Sequence, residues 1–573
     1  MLITAGLQLD FINSQRYQMK LISNKPLENA PPSLAFATVA MGAFRGLVVD
    51  ILWIRADRLK EQGQFFDAKQ LAEWITTLQP RFPSVWDFHS WNMAYNISVA
   101  IPASQPHERW RWVKNGYELL RDQGIPLNPT SILLYRQLAM IFQHKIGEVT
   151  DEAHKYYKLQ LALAMEPLVG STDNQYFERL AKAPTDWEQI RKDANVGQIL
   201  AALKSADNAF SDESEFVSNY LAFRENPNRF APAAFNAIED FRGTEAFKKL
   251  DIFAKAYQLR NVWKLDPVLM QQLNETYGPI DWNDPNKHLP LDWRNANTHG
   301  LYWAVRGLQM ASKGEYSLEE TNTDRMVGHS LQKLFRNGKM FVYEARLPEP
   351  SDSSSPPERM QKKEVFLRPD LRMFEPYNKS MLATLEKYKQ LKEGTYGSFQ
   401  DGHRNMLTNA LLLFYQSGHI RQAQKIYNQL RKLYPRDEFK VPLLIFVRNQ
   451  LREEFESIGI YDAKEMITGL LREAYFRYAM RDDDEASGRE SLAKEVHNHY
   501  RSQYSDEDRI DLPEFKMLRY FALIDFLNDE QYSRELRLRL VSRIEIERPE
   551  LARQFERIEE ELLKKTERSE QLQ

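Results

Sequence analysis

The chain has no cysteine among its 573 residues. Disulfides, thiolate metal sites, iron–sulfur clusters and a cysteine nucleophile are excluded together, while the compartment stays open. A dominant charge is also missing: 77 basic against 80 acidic side chains leave −3, too weak a field to grip nucleic acid. No glycine-rich dinucleotide turn, Walker loop, HExxH, GxSxG or kinase set occurs, so no cofactor or metal is expected and no catalytic residue is named. Long apolar runs are lacking too. Met1–Leu9 is too short to cross a bilayer, and Ser33–Ile54 carries Arg45 and Asp50, each costing roughly 2.5–3.5 kcal/mol at a membrane centre. Met1–Leu9 reads as a frayed start or as the tail of an anchor that begins upstream.

What is present is the composition of a folded protein, with 43% hydrophobic and 27% charged residues. The most informative stretch is Gly63–Pro80, GQFFDAKQLAEWITTLQP. Gly63 ends one helix, Ala68 and Ala72 give a narrow face for close helix approach, Ile75 and Leu78 continue it, and Pro80 stops the helix. The pattern returns at Gly418–Pro435, pairing Ala423, Tyr427, Leu430, Leu433 and Pro435 with those positions. This resembles the second helix of a tetratricopeptide repeat, and the resemblance implies stacked helix hairpins.

The expected architecture is therefore all-α, a tetratricopeptide-like solenoid that is irregular in the middle and carries a small two-stranded β insertion. Residues 1–33 form a lead-in containing the rigid Pro26–Pro32 segment, and 34–169 hold the first repeats. Residues 170–338 are less regular and include the Asp- and Trp-rich loop Tyr277–Arg294. Strands are predicted at Lys339–Leu347 and Glu364–Met373, within a 339–373 insertion whose proline- and serine-rich tip is flexible. Helical pairing resumes over 374–565, interrupted by a solvated loop at Asp482–Glu490, and 566–573 form a charged tail.

Two clusters qualify as binding sites. On the helix around Trp86–Asn96, His89, Asn92, Tyr95 and Asn96 exceed what one packed stripe needs, and the last three could grip the backbone of a bound strand. The alternative is that they hydrogen-bond neighbouring loops. Further on, Asp292 reads as a helix cap, with Arg294 beside it and His299 and Trp303 one turn apart on one face. As an enzyme this cluster would use Asp281 or Asp292 as acid and His299 as base. As structure it staples a loop to the next repeat. The pair His497 and His499 reads as solvent-exposed, and Trp110 and Trp112 read as packing.

Phe44–Val99, together with RWRWVKNGYELLRDQG, FQHKIG, YGPIDW and DWRNANTHGLYWA, resembles large, poorly characterised tetratricopeptide-like proteins of planctomycete-type bacteria. The resemblance implies a membrane-spanning helix ahead of the PLENAPP segment and supplies no catalytic residues. The function expected is a non-enzymatic scaffold that binds a protein or peptide partner in a helical groove. The alternatives are a helical-toroid enzyme acting on a glycan and a membrane-tethered assembly factor of an envelope complex.

Overall fold

The computed structural model describes residues 45–170, 173–310, 318–346, 361–390, 393–417, 419–455, 460–503, 512–529 and 532–570. Met1–Leu9, the Pro26–Pro32 segment, the start of the first long helix, the tip of the β insertion and Gly418 lie outside them. The fold is all-α with two small two-stranded sheets, and the chain divides into two compact units, Met1–Met340 and Phe341–Gln573. Among the described residues no helix is long and apolar enough to cross a membrane.

The first unit opens with the hairpin α1 (Arg45–Glu61) and α2 (Phe65–Leu78). Gly63 takes φ +74° and lets the Gln64 N–H reach back to the Leu59 carbonyl at 2.8 Å and its own N–H reach Lys60 at 3.0 Å. That pair of bonds closes a helix with a left-handed residue, where glycine bears no side-chain penalty. Ala68, Ala72 and Ile75 are fully buried on the inner face of α2, as their spacing predicts.

Three helices follow, α3 (Pro83–Trp91), α4 (Pro106–Leu119) and α5 (Ile132–Met140). Each runs on into a π-helical segment, Asn92–Ile97, Leu120–Gly124 and Ile141–Ile146. The widened turns are closed by five-residue bonds, Ser98 to Met93, Ile125 to Leu120 and Gly147 to Phe142. The cause is legible along α3. Val85, His89, Met93 and Ile97 are buried, and so are Trp86, Ser90, Ala94 and Ser98. A spacing of four overshoots an α-helical turn by about 40° per step. The widened turns from Asn92 to Ile97 offset that drift and keep Met93, Ala94 and Ile97 on the face begun by Val85 and Trp86.

The remaining helices of this unit are α6 (His154–Val169), α7 (Asn174–Lys182), α8 (Trp187–Arg191), α9 (Ala194–Ala206), α10 (Glu213–Glu225), α11 (Pro232–Glu239), α12 (Glu245–Asn261) and α13 (Pro267–Tyr277). The Asp- and Trp-rich loop contains a hairpin, β1 (Ile280–Asp281) with β2 (Asp284–His288), that its proline and asparagine content had concealed. Next come α14 (Ala296–Gln309) and α15 (Leu318–Asn337). Every residue from Ala296 to Ala304 is buried, so α14 runs through the centre of the unit, packed on α5 and α15.

The insertion pairs β3 (Lys339–Arg346) with β4 (Gln361–Arg368), close to the predicted strands; Leu371–Met373 is instead a short 3-10 turn. The second unit then holds α16 (Phe374–Tyr388), α17 (Glu393–Gln416), α18 (Ile420–Leu433), α19 (Leu443–Phe455), α20 (Ile460–Ala479), α21 (Asp483–Gln503), α22 (Phe515–Asn528), α23 (Arg534–Glu547) and α24 (Pro549–Glu570). The α17–α18 turn repeats the first: the His419 N–H reaches the Phe414 carbonyl at 2.9 Å, and Ala423, Tyr427 and Leu430 are fully buried. Leu433 departs from the match, being 42% exposed where Leu78 is buried.

A third copy of this turn joins α20 to α21. Asp482 N–H bonds the Arg477 carbonyl at 3.0 Å, with Arg481 in the left-handed position at φ +62°. Ala486, Ala493 and Val496 then occupy the buried places of Ala68, Ile75 and Leu78. The expected solvated loop at Asp482–Glu490 is therefore the first two turns of a helix. Its acidic start favours the helix amino end, and Glu485 and Asp482 are buried against Arg477.

Candidate partner-binding groove

The polar helix around Trp86–Asn96 spends its groups inward. Asn92 is fully buried, and its Nδ2 donates to the Phe65 carbonyl at 2.9 Å, tying the π segment to the start of α2. Asn96 donates to Asn92 Oδ1 at 3.0 Å, and the Tyr95 hydroxyl donates to the Met140 carbonyl at 3.4 Å. His89 is buried, with its pKa lowered to about 3 by desolvation and then by Lys69, and neither ring nitrogen has a partner among the described residues. At the surface this helix shows the edge of Trp91, stacked on Tyr95 at 3.9 Å.

The second cluster is a plug in the core. The cap of α14 is Asn295, whose side chain accepts from Asn297 N–H; Asp292 instead folds a turn onto Arg294 and accepts from one guanidinium edge, Nε at 2.9 Å and Nη2 at 2.8 Å. Arg294 also reaches Glu166 at 2.8 Å. His299 is fully buried, donates to the Trp293 carbonyl at 2.9 Å, and stacks on Phe142 at 4.9 Å. Burial above all lowers its pKa to about 4. Trp303 is buried as well. Asp281 Oδ1 is taken by the Asn283 N–H within the β1–β2 turn. An acid held by arginine and a histidine sealed from solvent make no acid–base pair for a substrate. Arg294 and Asp292 remain partly exposed at the rim.

His497 also departs from expectation. It is buried, donating to the Pro513 carbonyl at 2.9 Å and packed on Phe515, because its helix turns that face toward the α22 start. Trp110 and Trp112 pack on Tyr157 and Phe66, as predicted.

Among the described residues a concavity lies where no motif pointed, between α7 and the first turns of α12. It has a volume of about 880 Å³, within the ~300–1,000 Å³ of ligand sites. The buried side chains of Tyr176, Ile190 and Phe247 make an apolar floor, joined by half-buried Ile252. Arg179 and Lys182 stand on the α7 wall, Lys248 and Lys249 on the α12 wall. The walls are held at a fixed distance. Arg260 of α12 donates to the carbonyls of Pro184 at 2.8 Å and Ala183 at 3.1 Å, closing the carboxyl end of α7. Tyr176 anchors its own end by donating to the Leu168 carbonyl at 2.5 Å.

The signal for this site was diffuse. Lys182 belongs to an α7 whose two faces differ strongly in polarity, and the Lys248–Lys249 pair opens α12, but the two lie some sixty positions apart in sequence. No family model matches the chain, and a search of the curated proteins returns no match.

Proposed function

We propose that this chain is a non-enzymatic helical scaffold, built partly of tetratricopeptide-like hairpins, that binds a protein or peptide partner in the groove between α7 and α12. The observation that carries the reading is the groove itself: an apolar floor, charged walls and a spacing fixed by Arg260, so little ordering is needed on binding. The recurring turn at Gly63, at His419 and at Arg481 supports the hairpin part of the reading. The Trp86–Asn96 helix acts in this scheme as a brace, holding α2 through Asn92.

The test compares partners recovered by the wild-type chain and by Ile252→Glu, which puts a charge on the half-buried part of the groove floor. Tryptophan fluorescence checks that the fold is retained. The expected result is loss of specific partners with an unchanged spectrum. Recovery of the same partners at the same level would remove the groove from the account.

A further inference from the structure

Resting on the reading of the groove as a partner site, we infer that its occupant is an acidic peptide segment, with isolated carboxylates on both sides of one large apolar side chain. The floor of Tyr176, Ile190, Phe247 and Ile252 accepts the apolar anchor. The lining sets four cations, Arg179, Lys182, Lys248 and Lys249, against three carboxylates, Asp193, Glu245 and Asp251, which leaves one cation in excess. Arg179 is exposed and makes no ion pair among the described residues.

Among the described residues Lys182 pairs only with Glu178 of its own helix and Lys248 only with Glu245, and all four side chains are well exposed. Exposed pairs of this kind contribute about 0–1 kcal/mol, so an incoming carboxylate can exchange into them at little cost. Two of the groove's own carboxylates, Asp193 and Asp251, are less exposed and held more firmly than Glu245. Asp193 takes Lys249 at 2.7 Å and the Asn195 N–H at 3.1 Å, and Asp251 takes Lys255 at 2.8 Å.

The same geometry disfavours a nucleic acid. A phosphate strand brings a charge about every 3.4 Å and would run against Asp193, Glu245 and Asp251 on these walls. A peptide sets its carboxylates opposite Arg179, Lys182 and Lys248 and an uncharged residue elsewhere.

The experiment selects a displayed library of short random peptides on the full-length chain. The selected peptides are then labelled with fluorescein and titrated by anisotropy against wild type, Arg179→Glu/Lys182→Glu and Ile252→Glu. The expected consensus has acids flanking Phe or Leu. Affinity should fall about tenfold on the double charge reversal and also on raising the salt. A consensus without acids that is nonetheless lost in Ile252→Glu would overturn the acidic assignment while leaving the partner site standing. Peptides indifferent to all these substitutions, or a selection with no consensus, would overturn both. A fluorescein-labelled single-stranded DNA that displaces the peptides would overturn the choice of a peptide ligand.

Discussion

Gly116 offers the sharpest check on how the first unit is packed. On α4 it faces the π-helical stretch of the preceding helix. A methyl group there would sit 2.9 Å from the Ala94 Cβ and 2.9 Å from the Ser90 carbonyl oxygen, both fully buried and neither able to rotate away. Overpacking at such a contact costs about 1–3 kcal/mol. Alanine recovers up to ~1 kcal/mol over glycine in a helix interior, so Gly116→Ala should come out about 0–2 kcal/mol less stable. Gly197, inside α9, has nothing within 4 Å of the same position. Gly197→Ala should therefore gain about 0.5–1 kcal/mol.

The two substitutions are chemically identical and opposite in sign. Urea unfolding followed by tryptophan fluorescence reads them cleanly, because all 11 tryptophans of the chain precede Met340 and report on the first unit. A Gly116→Ala protein stabilised as much as Gly197→Ala would refute the close approach of α4 to the widened helix.

Other outcomes follow from single residues. Asp87 has its pKa raised to about 6, chiefly by burial, with Arg136 lowering it and Glu319 raising it. Its folded form prefers the proton, so its contribution to stability is present below about pH 4 and is lost as pH rises through about 6. Asp87→Asn should therefore stabilise the first unit at pH 7.5 and leave it unchanged near pH 4, read by the same urea midpoint. Arg477 is buried against Glu473, Asp482 and Glu485, and Arg477→Ala, which removes the cation these three share, should cost about 3–5 kcal/mol in circular dichroism melts. Arg481→Gly relieves a left-handed residue and should gain about 1 kcal/mol in the same melts.

What could be read from the sequence divides along physical lines. The α1–α2 hairpin was legible because Gly63, two alanines and Pro80 all report one geometry. Its third copy was not, because Arg481 stands where glycine would announce the turn and the acidic run after it suggests solvent. The spacing of four in α3 was equally hidden. Three of the eight residues of its buried stripe are His89, Ser90 and Ser98, and a polar residue in a core carries no periodic signal. The same residues explain why the polar cluster there looked like a binding surface: Asn92 is polar because it bonds a backbone carbonyl of α2, which only the folded contact reveals. The groove was illegible for another reason. Its walls come from α7 and α12, and its charges are ordinary surface lysines until tertiary structure sets them face to face across an apolar floor.

The central claim, recognition of a partner through that groove, is tested most directly by a photo-crosslinking amino acid placed at exposed Lys248 and, as a control, at exposed Gln272 on α13 in the full-length chain within cells. The account predicts discrete adducts from position 248 that disappear in the Ile252→Glu background and are absent from position 272. The same adducts from both positions, or adducts that persist in that background, would contradict it.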